Sequence, residues 1–192
     1  LASLATVAEL ADRLQTTIAS GQPTTAAQAA LDQASAAIRT YTHQTISAVA
    51  DDVKTFGFAR SYGFNNYYFS TTLFLPQLPV TAVASVVLNG RTLVQDTDYS
   101  WDPPTGILQR LNGWWDSAAL VNTVVVTYSH GYATVPDDVK DICMDLAGLG
   151  FQSKGDEPSE YTIGGYSERR PTPMLDDGQK LILDAYRPLA LA

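Results

Sequence analysis

Charge is scarce in this chain of 192 residues: 17% are Asp, Glu, Lys or Arg, against about 25% in an average soluble domain. The 12 basic and 20 acidic residues leave a net charge of −8, which argues against a protein that wraps nucleic-acid phosphates electrostatically. Cysteine is nearly missing, and Cys143 alone excludes an intramolecular disulfide and a four-cysteine zinc ribbon. No run of about 18 apolar residues occurs, and the N-terminal stretch carries Glu9 and Asp12 where a signal peptide is apolar. The chain therefore reads as soluble and unexported.

Catalytic signatures are missing as well. There is no GxSxG elbow, phosphate-binding loop, HExxH or GxGxxG. The two histidines are His43 and His130, and nothing near His130 supports a Ser-His-Asp arrangement. Asp96, Asp98 and Asp102 imitate a calcium loop, but Trp101 stands where Gly is needed and Ile107 where the bidentate Glu belongs. They read instead as turn caps. The expectation is a protein that is not an enzyme and has no cofactor and no metal.

What is present changes from helical to strand-like periodicity and back. Thr6 and Glu9 form a capping-box pattern ahead of Val7, Leu10, Ala11, Leu14 and Ile18, which predicts a helix over about 6–19. A second box, Thr25 with Gln28, precedes Ala27, Ala30, Leu31, Ala34, Ile38 and Tyr41 on one face, predicting a helix over 25–42 whose alanines permit close approach to another helix. From Thr45 the β-branched residues take over: ISAVADDV and TTLFLPQLPV read as strands, and the aromatic stretch from Phe56 to Ser70 as a long loop or loose hairpin rather than a core strand. Asn89-Gly90 between two β-rich runs predicts a type I′ hairpin. A strand pair around the turn at 103–106 and an alternating strand through Val124, Val126 and Tyr128 complete a β region over about 45–130. Pro136 at N1, followed by Asp137 and Asp138, starts a helix over 136–152. Its buried stripe is Val139, Ile142, Cys143, Leu146 and Leu149, with Cys143 a small core hydrophobe. Two helices, a β region and a third long helix thus follow one another, ahead of a polar, irregular stretch beyond Phe151. The main body is expected over 1–168 and a C-terminal tail over 169–192.

Three features invite a functional reading. Asp137, Asp141 and Asp145 recur every four residues and stack on one face of the third helix, where like charges cost a few tenths of a kcal/mol per pair. That face is either simply solvated or faces DNA that must pass without sticking. The aromatic loop with Phe58, Tyr62, Phe64, Tyr67, Tyr68 and Phe69 is too apolar to hang in water, and packs on its own domain, on a neighbouring subunit or on a sugar ring. Leu181, Ile182, Leu183, Tyr186 and Leu189 give the chain an apolar end on a polar tether, suited to a partner or to its own domain.

The order of TVAELADRL, AALDQASAAIRTYT, LPVTAVASVVLNGRTL, DTDYSWDPPTGILQRL, VVVTYSHGYATVPDDVKDICMDLAG and SEYTIGGYS resembles the head-to-tail adaptor proteins of tailed bacteriophages, those of actinobacterial phages in particular. The likeness runs from about Thr6 to Ser167, with YSHGYATVPDDV its most specific part. It implies an α+β but mainly helical fold, a small helical bundle with an inserted antiparallel β region between its second and third long helices and an extended C-terminal tail. It further implies a structural protein of the virion neck, made in the host cytoplasm. Such a protein forms a ring, a dodecamer in most of the family, beneath the portal protein. The ring extends the DNA channel and docks the next head-completion, stopper or tail protein. It also implies a portal-docking tail (Leu181, Ile182, Leu183, Tyr186, Leu189), a subunit-contact loop (Phe58 to Phe69) and channel-facing acids (Asp137, Asp141, Asp145), with genomic DNA passing unread and no membrane contact. The competing expectation is a carbohydrate or host-surface binding module built on the aromatic loop and Trp114-Trp115. Adjacent residues in a strand point to opposite faces, however, and make a poor single platform. An uncharacterised hydrolase acting through His130 is a third.

Overall fold

The computed structural model describes residues 2–59, 71–115, 121–152, 160–163, 166–169 and 174–188. The chain divides into a helical unit, Leu1–Thr42 with Val135–Tyr186, and a β unit, His43–Thr134 with Arg187–Ala192.

In the helical unit, α1 (Val7–Arg13) starts at the Thr6/Glu9 capping box, with both reciprocal bonds made. It stops short of the expected residue 19. Gln15 adopts a φ of 50°, the left-handed turn that ends helices, and the Gln15 and Thr16 amides close the end by donating to the Asp12 and Ala11 carbonyls. α2 (Gln22–Thr42) starts earlier than expected. Gly21 supplies a φ of 96° just ahead of it, and Pro23 sits in the first turn, where a missing N–H costs nothing. The second capping box does not form: the Thr25 hydroxyl donates to the Gly21 carbonyl, and Gln28 donates to Ser3 and Asp32.

The face of α2 that buries Ala27, Ala30, Leu31, Ala34 and Ile38 packs on α3 (Asp137–Gln152), which buries Val139, Ile142, Cys143 and Leu146. Each buried leucine or isoleucine contributes roughly 1.5–3 kcal/mol. Small residues set the spacing: a side chain at Gly150 would meet Ala30 at 3.9 Å, and one at Gly148 would meet Leu14 at 3.3 Å. The segment before α1 runs along α2, with the Leu4 amide donating to Ser35 Oγ at 2.9 Å.

The β unit carries a four-stranded sheet ordered β1-β7-β3-β4 and a three-stranded sheet ordered β2-β6-β5. Their strands are β1 (Val49–Ala59), β2 (Thr72–Phe74), β3 (Val80–Leu88), β4 (Arg91–Thr92), β5 (Tyr99–Asp102), β6 (Ile107–Arg110) and β7 (Val121–His130), and all pairings between them are antiparallel. The Asn89-Gly90 turn has φ angles of 48° and 82°, as a type I′ hairpin requires. Alternation along β7 puts Val124, Val126 and Tyr128 into a core shared with Leu73, Val86, Leu108 and Trp115. Phe56 and Gly57, read from sequence as loop, lie within β1 opposite Val124 and Thr123.

The helical-bundle expectation is overturned. Among the described residues strands hold about as many as helices do, and the protein is an α+β mixture. The tail expected over 169–192 is not simply extended either, because α4 (Asp177–Asp184) lies within it; ahead of it, β8 (Glu160–Ile163) pairs with β9 (Tyr166–Arg169). α4 begins at a capping box, Asp176 with Gln179, whose acidic variant was overlooked in the sequence. Among the described residues, no helix is long and apolar enough to cross a membrane.

Candidate functional site

The acidic row on α3 is not bare. Arg13, in the last turn of α1, places Nη2 2.8 Å from Asp145 Oδ1 and Nη1 3.5 Å from Asp141 Oδ1. One guanidinium therefore offsets two of the three carboxylates and relieves their repulsion at the four-residue spacing. Between them in sequence, Lys140 Nζ pairs with Glu9 Oε1 at 2.9 Å. That ammonium, with the main-chain and hydroxyl hydrogen bonds from Thr6, holds the Glu9 carboxyl down at about 2. The capping box of α1 is thus also half of a clamp onto α3. Asp137 is exposed at the N-terminus of α3, where the helix dipole favours a carboxylate. Nothing in the sequence spacing announced Arg13, 128 residues before Asp141 in the chain.

The apolar end separates into two kinds of residue. Leu183 is fully buried on α4, which packs against α2 and α3. The Tyr186 hydroxyl donates to the Asp138 carboxylate at 2.8 Å, and the Tyr41 hydroxyl reaches Asp184 Oδ1 at 2.8 Å. These contacts tie α4 to its own unit. Leu181 and Ile182 point outward, 76% and 44% exposed. Leu189 lies outside the described residues, as do Tyr62, Phe64, Tyr67, Tyr68 and Phe69 and the side chain of Phe58. A shallow groove of about 380 Å³ borders α4, lined by Arg13, Leu14, Met144, Asp145, Leu149 and Gln179 among others.

The β unit holds a buried polar cluster. His130 is 1% exposed, its Nε2 3.3 Å from Asp52 Oδ2 and its Nδ1 3.4 Å from Thr45 Oγ1, with the Tyr128 ring 5.1 Å away. Burial lowers the His130 pKa, and the Asp52 hydrogen bond only partly opposes this. Burial, reinforced by the Asp52 charge, pushes the Tyr128 phenol up to about 12. Gln44 is buried beside this cluster in sequence and stitches a loop shut, donating to the Pro76 carbonyl and accepting from the Leu78 amide. Gln77 answers it, accepting from the Thr45 amide and donating to the His43 carbonyl. Gly131, next to His130, has a φ of 87° and lies so close to the Ser47 carbonyl that no side chain fits. The ring nitrogens of His130 thus face Asp52 within β1 and Thr45 in the segment entering it, in an arrangement that fixes strands.

Asp98 and Asp102 act as turn caps, accepting from the Val94 amide and the Thr105 hydroxyl. Among the described residues, no group of three or more His, Cys, Asp or Glu is placed to hold a metal ion. Trp115 is fully buried, its Nε1 donating to the Thr71 carbonyl, while Trp114 is 48% exposed. The two rings therefore make no joint platform for a sugar.

No protein-family model and no curated protein sequence matches the chain. Solved structures match its fold, and two of them are informative. One is a chain from the neck of an empty GTA (gene transfer agent) particle computed with C6 symmetry, with a TM-score of 0.56 at 16% identity, covering 95% of this chain and 88% of that one. The other is from the neck of the native GTA particle computed with C12 symmetry, with a TM-score of 0.54 at 14% identity and the same two coverages. The chain shares its fold, over nearly its whole length, with neck proteins of a phage-like particle.

Proposed function

We propose that this chain is a structural connector of the neck of a tailed phage or phage-like particle. It assembles as a ring of twelve copies beneath the portal protein and passes DNA without reading it. The observation that carries this reading is the likeness to neck chains along 95% of the sequence. The order of sequence segments that resembles phage head-to-tail adaptors agrees with it, down to the actinobacterial type. The role is non-catalytic. Exposed Leu181 and Ile182 are the residues of the C-terminal segment offered to the portal, whereas Leu183 serves the helical unit's own core. The next stopper or tail protein docks on the other end of the ring. Repulsion of passing phosphates rests on the acidic excess of −8 per chain, multiplied around the ring, rather than on the α3 row, where Arg13 offsets Asp141 and Asp145.

The test is to mix the purified chain with portal-bearing capsids that lack a connector and to image the vertices, with light scattering on the same sample. A ring seated at one vertex per capsid is expected. A chain that stays monomeric and never joins the vertex removes the reading.

A further inference from the structure

One face of the four-stranded sheet carries the core; the other is unusual for a surface. Register places Val53, Thr127 and Ser85 in one cross-strand row and Thr55, Val125 and Val87 in the next. These six positions alternate with the inward-facing Val86, Val124, Val126 and Tyr128, so they share the outward face. Val53 is 59% exposed, Thr55 is exposed, and the other four are half-buried. An open antiparallel sheet face is ordinarily polar and solvated, yet no ionisable group stands in either row, and three of the six residues are valines.

We propose that this face receives the next copy of the chain in the ring. The proposal rests on the ring reading and names the surface that closes it. Copies that each carry −8 repel one another, and the cost is least where the apposed surfaces hold no charge. Depletion of charged residues is also the compositional mark of an interface core. The neck particles that share this fold were computed with six-fold and twelve-fold symmetry, so many copies surround one axis there. A cyclic contact is heterologous, so this face meets a different patch of its neighbour.

Cysteine labelling tests it cleanly, because the native thiol, Cys143, is buried and burial raises its pKa. Val53→Cys and, as a control of equal exposure in the same unit, Val94→Cys (60% exposed at Val94) are treated with N-ethylmaleimide as monomer and as assembled ring. Val53→Glu is assayed for assembly by light scattering, with tryptophan emission reporting whether the β unit is native. The expected result is a ring in which Val53→Cys is protected and Val94→Cys is not, and a folded Val53→Glu chain that stays monomeric. If rings form but Val53→Cys labels as fast in them as in the monomer, the face is wrong while the ring reading stands. Protection already present in the monomer means that the chain covers the face itself, and overturns the proposal equally. If Val53→Glu does not fold, the labelling comparison still decides. A wild-type chain that forms no ring, even with portal-bearing capsids, sinks both readings together.

Discussion

The helical unit and the β unit satisfy their buried polar groups differently. In the helical unit the buried hydroxyls donate within their own helix, Ser35 to the Leu31 carbonyl and Thr42 to the Ile38 carbonyl, although Ser35 Oγ also accepts from the distant Leu4 amide. The charged pairs stay at the rim. In the β unit the buried polar side chains reach across the chain: Gln44 to residues 32 and 34 positions away, His130 to residues 78 and 85 positions away. A polar group satisfied locally constrains little beyond its own turn. One satisfied at long range fixes which segments are neighbours, and its loss strands its partners. The β unit should therefore be the less forgiving of the two. All three tryptophans, Trp101, Trp114 and Trp115, lie in it, so tryptophan emission reports the β unit while helical circular dichroism reports the other.

The largest effect is expected at Gly131. Gly131→Ala puts a methyl group onto the Ser47 carbonyl at a φ that L-residues avoid, a combined cost of roughly 3 kcal/mol or more. The tryptophan transition should move to markedly lower denaturant and the helical transition should move less. Coincident shifts in the two signals would mean that the units unfold as one, and would dissolve the contrast.

Next comes a pair of leucines two residues apart on α4, and so on opposite sides of it. Leu183→Ala empties a fully buried position and should cost about 2–5 kcal/mol, read in the helical signal. Leu181→Ala, at a position 76% exposed, should stay within about 0.5 kcal/mol and instead weaken attachment to portal-bearing capsids. Equal destabilisation by the two would show that α4 is held differently.

Those two leucines also show what the sequence could and could not disclose. The α2 stripe, the α3 stripe, the Asn89-Gly90 hairpin and the alternation along β7 were legible because each is a local period or a local turn. The weight of the β region was misjudged because Phe56 and Gly57, read as loop, belong to a strand whose partner is Val121–His130. That pairing is a long-range fact. α1 ended early because Gln15 turned left-handed, and no composition rule singles out Gln for that. The acid row was visible but its offset was not, since Arg13 comes from a different helix. The apolar tail was visible as a whole, but which of its leucines faces inward depends on the α2 and α3 surface beneath it.

His130 offers a smaller and pH-dependent effect. Its folded-state pKa lies below the ordinary 6.5 because burial disfavours the imidazolium. The unfolded chain therefore takes up the proton first as pH falls. This contribution to stability is complete above the unfolded value, and it is lost as pH falls through that value toward the folded one. The tryptophan-detected midpoint should drop as pH falls through the ordinary histidine value of about 6.5, and His130→Gln should flatten that slope. A helical midpoint with the same slope would place the titrating group elsewhere.

The smallest effect should come from the charged rim of the helical unit. Arg13, Asp141 and Asp145 have side chains 43%, 56% and 43% exposed, so water and salt screen their attraction, and such pairs contribute about 0–1 kcal/mol. Arg13→Gln should shift the helical midpoint by no more than that, and added salt should erase the difference. The Glu9–Lys140 pair behaves differently in one respect, because Glu9 also caps α1. Its carboxyl is depressed from 4.5 to about 2. Its contribution is present above 4.5 and disappears as pH falls through that interval toward 2, where the unfolded chain binds the proton more readily. Glu9→Gln can keep the cap's hydrogen bonds but not the charge. It should therefore remove the acid sensitivity of the helical signal while leaving the helix start in place, and an unchanged acid limb would show that the pair contributes nothing to holding α1 on α3.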